Sequence, residues 1–317
     1  FGSRNPLQTA MFLLGVYVSC FCAACAVSSV RLLTPAFLQN EEDTTEHYSL
    51  QQADFVPGVE ETCNQPSNST LKFLHISKTG GTAIEEWGRK HGQFWGRYWN
   101  YCLKRYHGDT SGNTLVRVKE VVENEPHHAP PHYFARNPYE GYSTFTVVRD
   151  PYRRIISEFR CPYAGYCGRI ISDALWLCEE RAQDRRLALR KEADVHKLNL
   201  WIQAALQSDE SERRSHLIAQ KEYVFNFEGE RMVPFSRVLR YENLESDFAT
   251  LVEKFGLQFT PLLDVNVEPE TAMMTFSIDD LTDTSRRLVE KTYSDDFNLF
   301  GYEKLTRAQG LMSWFHS

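Results

Sequence analysis

The stretch Leu71-Lys72-Phe73-Leu74-His75-Ile76-Ser77-Lys78-Thr79-Gly80-Gly81-Thr82-Ala83-Ile84-Glu85-Glu86-Trp87 joins two different structural patterns. Its first six residues are mostly apolar and predict a buried parallel strand, whereas residues 83–90 favour a helix. The two glycines between them let the backbone turn tightly with several N–H groups facing one point. The start of the helix adds about half a positive charge. The sequence therefore predicts a strand, an anion-binding loop and a helix.

The position of the lysine separates this loop from the common ATP-binding loop. In the pattern G-x-x-x-x-G-K-[ST] the lysine follows the glycines, whereas Lys78 precedes Gly80 and Gly81. An ordinary ATPase or nucleotide kinase is therefore disfavoured. Taken alone, the stretch is also compatible with an ordinary strand-to-helix corner whose lysine is solvated.

A second motif follows about 70 residues later, where Arg149-Asp150-Pro151-Tyr152-Arg153-Arg154-Ile155-Ile156-Ser157 comes directly after a β-branched run at Thr144–Val148. The run predicts a buried strand, and Pro151 suits the first turn of a helix. Arg149 would then stand at the carboxyl end of the strand, the edge at which open α/β sheets bind ligands. Its alternative role is a structural ion pair with Asp150.

The two motifs together resemble those of sulfotransferases that use 3′-phosphoadenosine 5′-phosphosulfate (PAPS), in particular Golgi carbohydrate enzymes with an H-I-x-K-T-G-G-T loop. The resemblance extends over about residues 71–303, including R-Y-E-N-L at 240–244 and a closing helix before Phe300-Gly301-Tyr302. It implies an α/β fold, a P-loop-like three-layer sandwich with a central, mainly parallel sheet flanked by helices. It also implies that the following residues bind the donor: Ser77, Lys78, Thr79, Gly80, Gly81 and Thr82 at the 5′-phosphosulfate, and Arg149 and Ser157 at the 3′-phosphate.

The resemblance implies transfer of a sulfuryl group from PAPS to a hydroxyl of an acceptor, with a glycan expected. Lys78 would neutralise the charge that develops on the leaving group. The resemblance also implies a histidine between the two motifs as the base, and histidine suits this role because it titrates near neutral pH. We select His128, with His127, His132, Glu85 and Glu86 as alternatives. The other function class that remains open is a membrane-anchored protein that binds a glycan or a nucleotide without catalysis.

The histidines lie in a proline-rich segment, Glu125 to Phe134, whose prolines exclude regular structure and predict a constrained loop. Their spacing is irregular, and no carboxylate or cysteine set accompanies them in sequence. We therefore expect no metal.

The N-terminal part of the chain divides into two further regions. Residues 10–30 are uncharged and number 21, close to the ~20 that span a bilayer as a helix. We therefore expect a short tail and signal anchor at 1–31, with a cleaved signal peptide as the alternative. Residues 32–70 are polar and acidic without periodicity and predict a stem, and residues 71–317 form the catalytic domain.

Composition agrees with a membrane-anchored protein whose body lies in the Golgi lumen. Of eight cysteines, five lie in the body without a C-x-x-C pair, which favours one or two disulfides over a zinc site. Cys161 and Cys167 are close enough to form a small loop, and Asn68-Ser69-Thr70 is a glycosylation acceptor. The net charge of -7 disfavours a nucleic-acid partner.

Periodicity gives a coarse outline of the rest of the body. Strands are predicted at 223–227 and 233–240 around a turn at Gly229, followed by an amphipathic helix through Phe255. Helices are also predicted within residues 173–206 and 280–302.

Overall fold

A parallel three-stranded sheet brings the ends of the two sequence motifs together. The computed structural model describes residues 63, 70–106, 121–161, 165–166, 194–207, 215–263 and 276–305. Its strands are β1 (Leu71–Leu74), β2 (Ser143–Val148) and β3 (Val238–Arg240), in the order β1-β2-β3. Leu71 pairs with Ser143 and Val148 pairs with Arg240, both in parallel register. The carboxyl ends of all three strands therefore meet at one edge, as predicted for Arg149 and the glycine loop.

Helices flank this sheet. They are α1 (Gly81–Lys90), α2 (Asn100–Leu103), α3 (Pro151–Phe159), α4 (Val195–Gln207), α5 (Leu244–Lys254), α6 (Asp283–Thr292) and α7 (Ser294–Phe300). The start of α3 follows from its sequence, because the Asp150 carboxylate accepts the N–H groups of Tyr152 and Arg153 and Pro151 needs no acceptor.

Alternation along the strands divides the core between the two faces of the sheet. Phe73, Phe145 and Val147 point to one face and pack with Trp87 of α1 and Phe248 of α5. Leu74 and Val148 belong to a second cluster, which contains Trp99 and Tyr133. Helices α3, α4, α6 and α7 share a third cluster. The α/β fold with a parallel sheet flanked by helices is confirmed.

Three details of the predicted elements are wrong. Strand β1 ends at Leu74 instead of Ile76, because the Ile76 carbonyl accepts a hydrogen bond from the Thr79 hydroxyl. The predicted strand 223–227 contributes only a bridge between Phe225 and Arg231, because the Phe225 N–H donates back to Lys221. Residues 235–237 form a 3₁₀ turn after Pro234, which has no N–H for a ladder, so the strand begins at Val238.

The proline-rich segment also differs from the prediction of irregular structure. Pro126–His128 and Pro131–Tyr133 are 3₁₀ turns, each with proline at its start, where the missing N–H costs nothing. The histidines are held in these turns.

Among the described residues, one disulfide joins Cys63 to Cys102 of α2, and Cys161 is a free, buried thiol. The small loop suggested between Cys161 and Cys167 is therefore not closed at Cys161, and Cys167 lies outside the described residues. None of the described helices is both long and apolar enough to cross a bilayer. The predicted anchor at 10–30, the stem and the glycosylation acceptor at Asn68 lie outside the described residues.

Candidate active site

The glycine loop between β1 and α1 has the backbone geometry of an anion site. Lys78 has a φ of 66° and Gly80 a φ of 86°, so the chain reverses within three residues. The hydroxyls of Ser77 and Thr79 donate to the carbonyls of His216 (3.2 Å) and Ile76 (2.7 Å), which fixes the loop from inside. The Ala83 N–H donates to the Gly80 carbonyl at 3.1 Å, and the two N–H groups before it, at the start of α1, can face an anion.

Gly81 is required by the ring of His75. A Cβ at position 81 would lie 2.0 Å from Nε2 of His75, and a Cβ at Gly80 would lie 2.9 Å from the Leu244 side chain. His75 is fixed in turn by Glu85, whose Oε1 lies 2.7 Å from its Nδ1. The loop is therefore packed directly on a buried histidine–carboxylate pair.

Arg149 connects the second motif to this loop. Its Nη1 donates to the Lys78 carbonyl at 3.0 Å, and its guanidinium lies 4.0 Å from the ring centre of Tyr241. Its Nε is buried without a hydrogen-bond partner among the described residues. Burial lowers the pKa of Arg149. Arg149 thus supports the left-handed backbone at Lys78 and keeps one buried donor for a ligand.

Arg154, which is buried on α3, joins the loop to the turn Ser215–Leu217. Its Nε donates to the Ser77 carbonyl at 3.1 Å and its Nη2 to the His216 carbonyl at 3.0 Å. Gln220 adds a reciprocal pair of hydrogen bonds with the Arg149 backbone. Three segments distant in sequence are therefore fixed around one loop.

A cleft of about 380 Å³ opens beside Arg149. Its lining includes three arginines, Arg149, Arg153 and Arg160, together with Phe276. Ser157 is partly exposed on α3, next to Ile156 of the cleft wall. An anionic ligand with a flat, apolar part suits this lining.

Comparison with known families was decisive for the class of protein. The model described as the sulfotransferase family matches residues 64–303, which include the loop, Arg149, Ser157 and the closing helices. The chain belongs to the sulfotransferase family. No curated protein and no solved structure matches it significantly.

A cluster of histidines lies behind the loop of this sulfotransferase. The ring of His128 is 4.5 Å from that of His75, 4.0 Å from that of His127 and 4.8 Å from that of His216, centre to centre. Since His75 contacts Gly81, His128 is one ring away from the donor loop. The predicted base and the predicted donor loop therefore lie close together.

The alternative bases occupy other environments. Glu85 is buried and accepts hydrogen bonds from His75 and from the Arg97 N–H. Glu86 lies in a partly exposed network with Arg89, Arg97 and Tyr98. His132 contacts Glu222 at 3.1 Å. These groups are held by structural partners, whereas His127 remains beside His128.

The histidines of the cluster have pKa values that are shifted in opposite directions. Burial, together with the neighbouring His75, lowers the pKa of His128 to about 3, and burial beside His128 also lowers the pKa of His127. Burial opposes the charge on His216 as well, but the carboxylate of Glu158 and the Cys161 sulfur raise its pKa to about 10. His128 is thus a neutral imidazole at pH 7 and His216 an imidazolium.

In the part of the chain that the structure describes, three groups of side chains could share a cation, since their donor atoms lie within 4.8 Å of one another. They are His75, His127 and His128; Glu125, His128 and His216; and Glu158, Cys161 and His216. The charge of protonated His216 opposes a cation in the last two groups. The absence of a metal stays a prediction.

Several site residues were missed by sequence reasoning. His75 adjoins the loop, and Glu158 adjoins Ser157, so both were within the motifs but without a distinguishing pattern. His216 and Gln220 carry no local signal at all, because their roles arise from contacts 58 to 139 residues away in sequence.

Proposed function

We propose that the chain transfers the sulfuryl group of PAPS to a hydroxyl of a glycan acceptor. The observation that carries this proposal is the hydrogen bond from Arg149 to the Lys78 carbonyl, which joins the two motifs into one anion-binding surface. The loop at Ser77–Thr82 would hold the 5′-phosphosulfate, and Arg149 and Ser157 would hold the 3′-phosphate. The cleft beside Arg149 leaves room for the adenosine.

The reaction forms a bond between the acceptor oxygen and sulfur and breaks the bond between sulfur and the bridging phosphate oxygen. Backbone N–H groups of the loop and the Lys78 ammonium stabilise the charge on the departing adenosine bisphosphate. His128 takes the acceptor proton on Nε2 and is neutral beforehand, as the reaction requires.

We further propose that the protein acts in the Golgi lumen, anchored through residues 10–30. A disulfide at Cys63–Cys102 suits an oxidising compartment, and Asn68 precedes β1 as a potential glycosylation site. We expect N-glycosidase treatment to change the electrophoretic mobility of the full chain expressed in cells, and we expect Asn68→Gln to lose this change. An unchanged mobility of the wild-type chain would oppose this location.

The first test is transfer of labelled sulfate from PAPS to a panel of glycans by the full chain and by Lys78→Gly. Glycine relieves the positive φ at this position while it removes the ammonium. We expect turnover to fall about 100- to 1,000-fold with PAPS still bound, because the charge is made in the transition state. Lys90→Ala, at the exposed end of α1, is the matched control.

Two outcomes would oppose the proposal. Wild-type turnover in Lys78→Gly would show that Lys78 has no role in catalysis. Binding of PAPS by the wild type without transfer to any hydroxyl of the panel would favour a binding protein with the same fold.

A further inference from the structure

Glu125 has no role in the reaction described above, yet its carboxylate faces the proposed base. Its Oε2 lies 3.7 Å from Nδ1 of His128, and its carbonyl accepts the His128 N–H at 2.8 Å. Nδ1 of His128 is buried and makes no hydrogen bond among the described residues. An approach of about 1 Å would turn this contact into a hydrogen bond, and such bonds are often long before substrate binds.

Glu125 is itself held from its other side. The Ser215 hydroxyl donates to its Oε2, and Nε2 of His216 lies 3.9 Å from the same oxygen. Nδ1 of His216 lies 3.0 Å from both carboxylate oxygens of Glu158, which is buried. The charges alternate along the row Glu158, His216 and Glu125, so the carboxylate next to the neutral His128 is fixed in place.

The ring and backbone of His128 are constrained as well. The rings of His75 and His216 both stand edge-on to it, at interplanar angles of 76° and 85°. The Tyr223 hydroxyl donates to the His128 carbonyl. The orientation of the imidazole is thus set before any acceptor arrives.

We propose that Glu125 is a positioning residue for His128. The Glu125 carboxylate accepts the Nδ1–H of His128, so that Nε2 of the same ring is free to take the proton of the acceptor hydroxyl. This inference rests on the proposed function. The proton moves from the acceptor oxygen to Nε2, the Nδ1 proton stays on His128, and Glu125 remains a carboxylate throughout.

Electrostatics gives Glu125 a second effect on the reaction. His128 becomes an imidazolium in a buried place beside His75, His127 and His216, where a positive charge is unfavourable. Burial favours protonation of Glu125, but His128, His216 and Ser215 outweigh it and hold the pKa of Glu125 well below its usual range. Its negative charge therefore offsets the imidazolium that the reaction creates.

The test is a double-mutant cycle on the full chain with Glu125→Gln, His128→Ala and the combined variant. We expect Glu125→Gln to lower kcat about 10- to 1,000-fold while KM for PAPS stays nearly constant, since Glu125 acts through the base. In the His128→Ala background the same substitution should cause no further loss. Glu125→Asp, which keeps the carboxylate, should recover part of kcat, and Glu123→Gln, an exposed carboxylate two residues earlier in the chain, should behave as the wild type.

The results separate this inference from the proposed function. One outcome is that His128→Ala is impaired, whereas Glu125→Gln keeps the wild-type kcat and its thermal transition shows that it is folded. This outcome overturns the positioning role, while the base assignment stands. An equal loss from Glu125→Gln with and without His128 would also overturn it. Normal turnover in His128→Ala would overturn the base assignment and this inference together.

Discussion

Gly81 shows how a single residue is fixed by a neighbour that the sequence does not reveal. The pattern K-T-G-G-T predicts a loop that needs glycine for its turn. The structure gives position 81 a different reason, because the ring of His75 occupies the space of a Cβ. Loop geometry and the buried His75–Glu85 pair are thus linked through one steric contact.

Gly81→Ala should therefore damage donor binding as well as stability. Overpacking of this kind costs about 1–3 kcal/mol of the free energy of unfolding, and the shift of the loop should weaken PAPS binding. Gly92→Ala is the control for PAPS binding, since no atom lies within 4 Å of its Cβ position; its φ of 69° should cost some stability while the PAPS affinity stays that of the wild type. Chemical unfolding and PAPS titration measure both effects. Unchanged PAPS affinity in Gly81→Ala would show that His75 yields without moving the loop.

His216 makes stability depend on pH in a defined direction. Its pKa is raised to about 10 despite burial, because the Glu158 carboxylate and the Cys161 sulfur interact with it. Glu125 and His128 are the other titratable groups beside the ring. A group whose folded pKa lies above its unfolded value of about 6.5 stabilises fully below that value, and the effect is lost as pH rises through the folded pKa.

The difference in unfolding free energy between the wild type and His216→Asn should therefore be largest at about pH 6 and should shrink towards pH 10. Urea unfolding at several pH values measures this difference, and common effects of pH on other groups cancel. A difference that stays constant over this range would contradict an ion-paired His216.

At the scale of elements, the sequence predicts what local patterns encode. Strand β2, helix α1, helix α5 and the position of Arg149 at a strand end follow from periodicity and from Pro151. Of the strands predicted around Gly229, the first is reduced to a bridge and the second begins only at Val238, because Phe225 and residues 235–237 satisfy their backbone in tight turns. Pro234 is a local signal for the second of these turns.

The site shows the same division. Donor-loop residues and Arg149 belong to local motifs and are predictable from them. His216 and Gln220 reach the site only because the 215–223 segment packs against α3 and the loop. Long-range contacts of this kind have no signature in a single sequence.

The disulfide between Cys63 and Cys102 joins the segment before β1 to helix α2. Its loop of 39 residues should contribute about 4 kcal/mol to stability by constraining the unfolded chain. Cys63→Ser should lose up to this amount in urea unfolding, and reduction should lower the wild type to the same level. Reducing agent should have no further effect on the variant. A variant as stable as the oxidised wild type would show that the bond contributes little.

At the scale of the whole molecule, the glycine loop and Arg149 of the arginine-lined cleft lie at the same edge of the sheet. The three strands end together, and the residues after them are the loop, Arg149 and Tyr241. A donor with phosphates at both ends fits this arrangement, because the loop and the arginine cleft offer two separate anion sites. The 3′-phosphate distinguishes PAPS from ATP and from adenosine 5′-phosphosulfate.

The most direct measurement is calorimetric titration of the full chain with PAPS and with adenosine 5′-phosphosulfate, for the wild type and Arg149→Ala. Loss of a charged hydrogen bond costs about 1.5–3 kcal/mol. The wild type should therefore bind PAPS at least about tenfold more tightly than adenosine 5′-phosphosulfate, which lacks the 3′-phosphate. Arg149→Ala should bind both weakly and nearly equally, and Arg136→Ala, an exposed arginine paired with Glu140, should match the wild type. Equal affinity of the wild type for the two compounds, or ATP binding as tight as PAPS binding, would contradict a PAPS-dependent sulfotransferase.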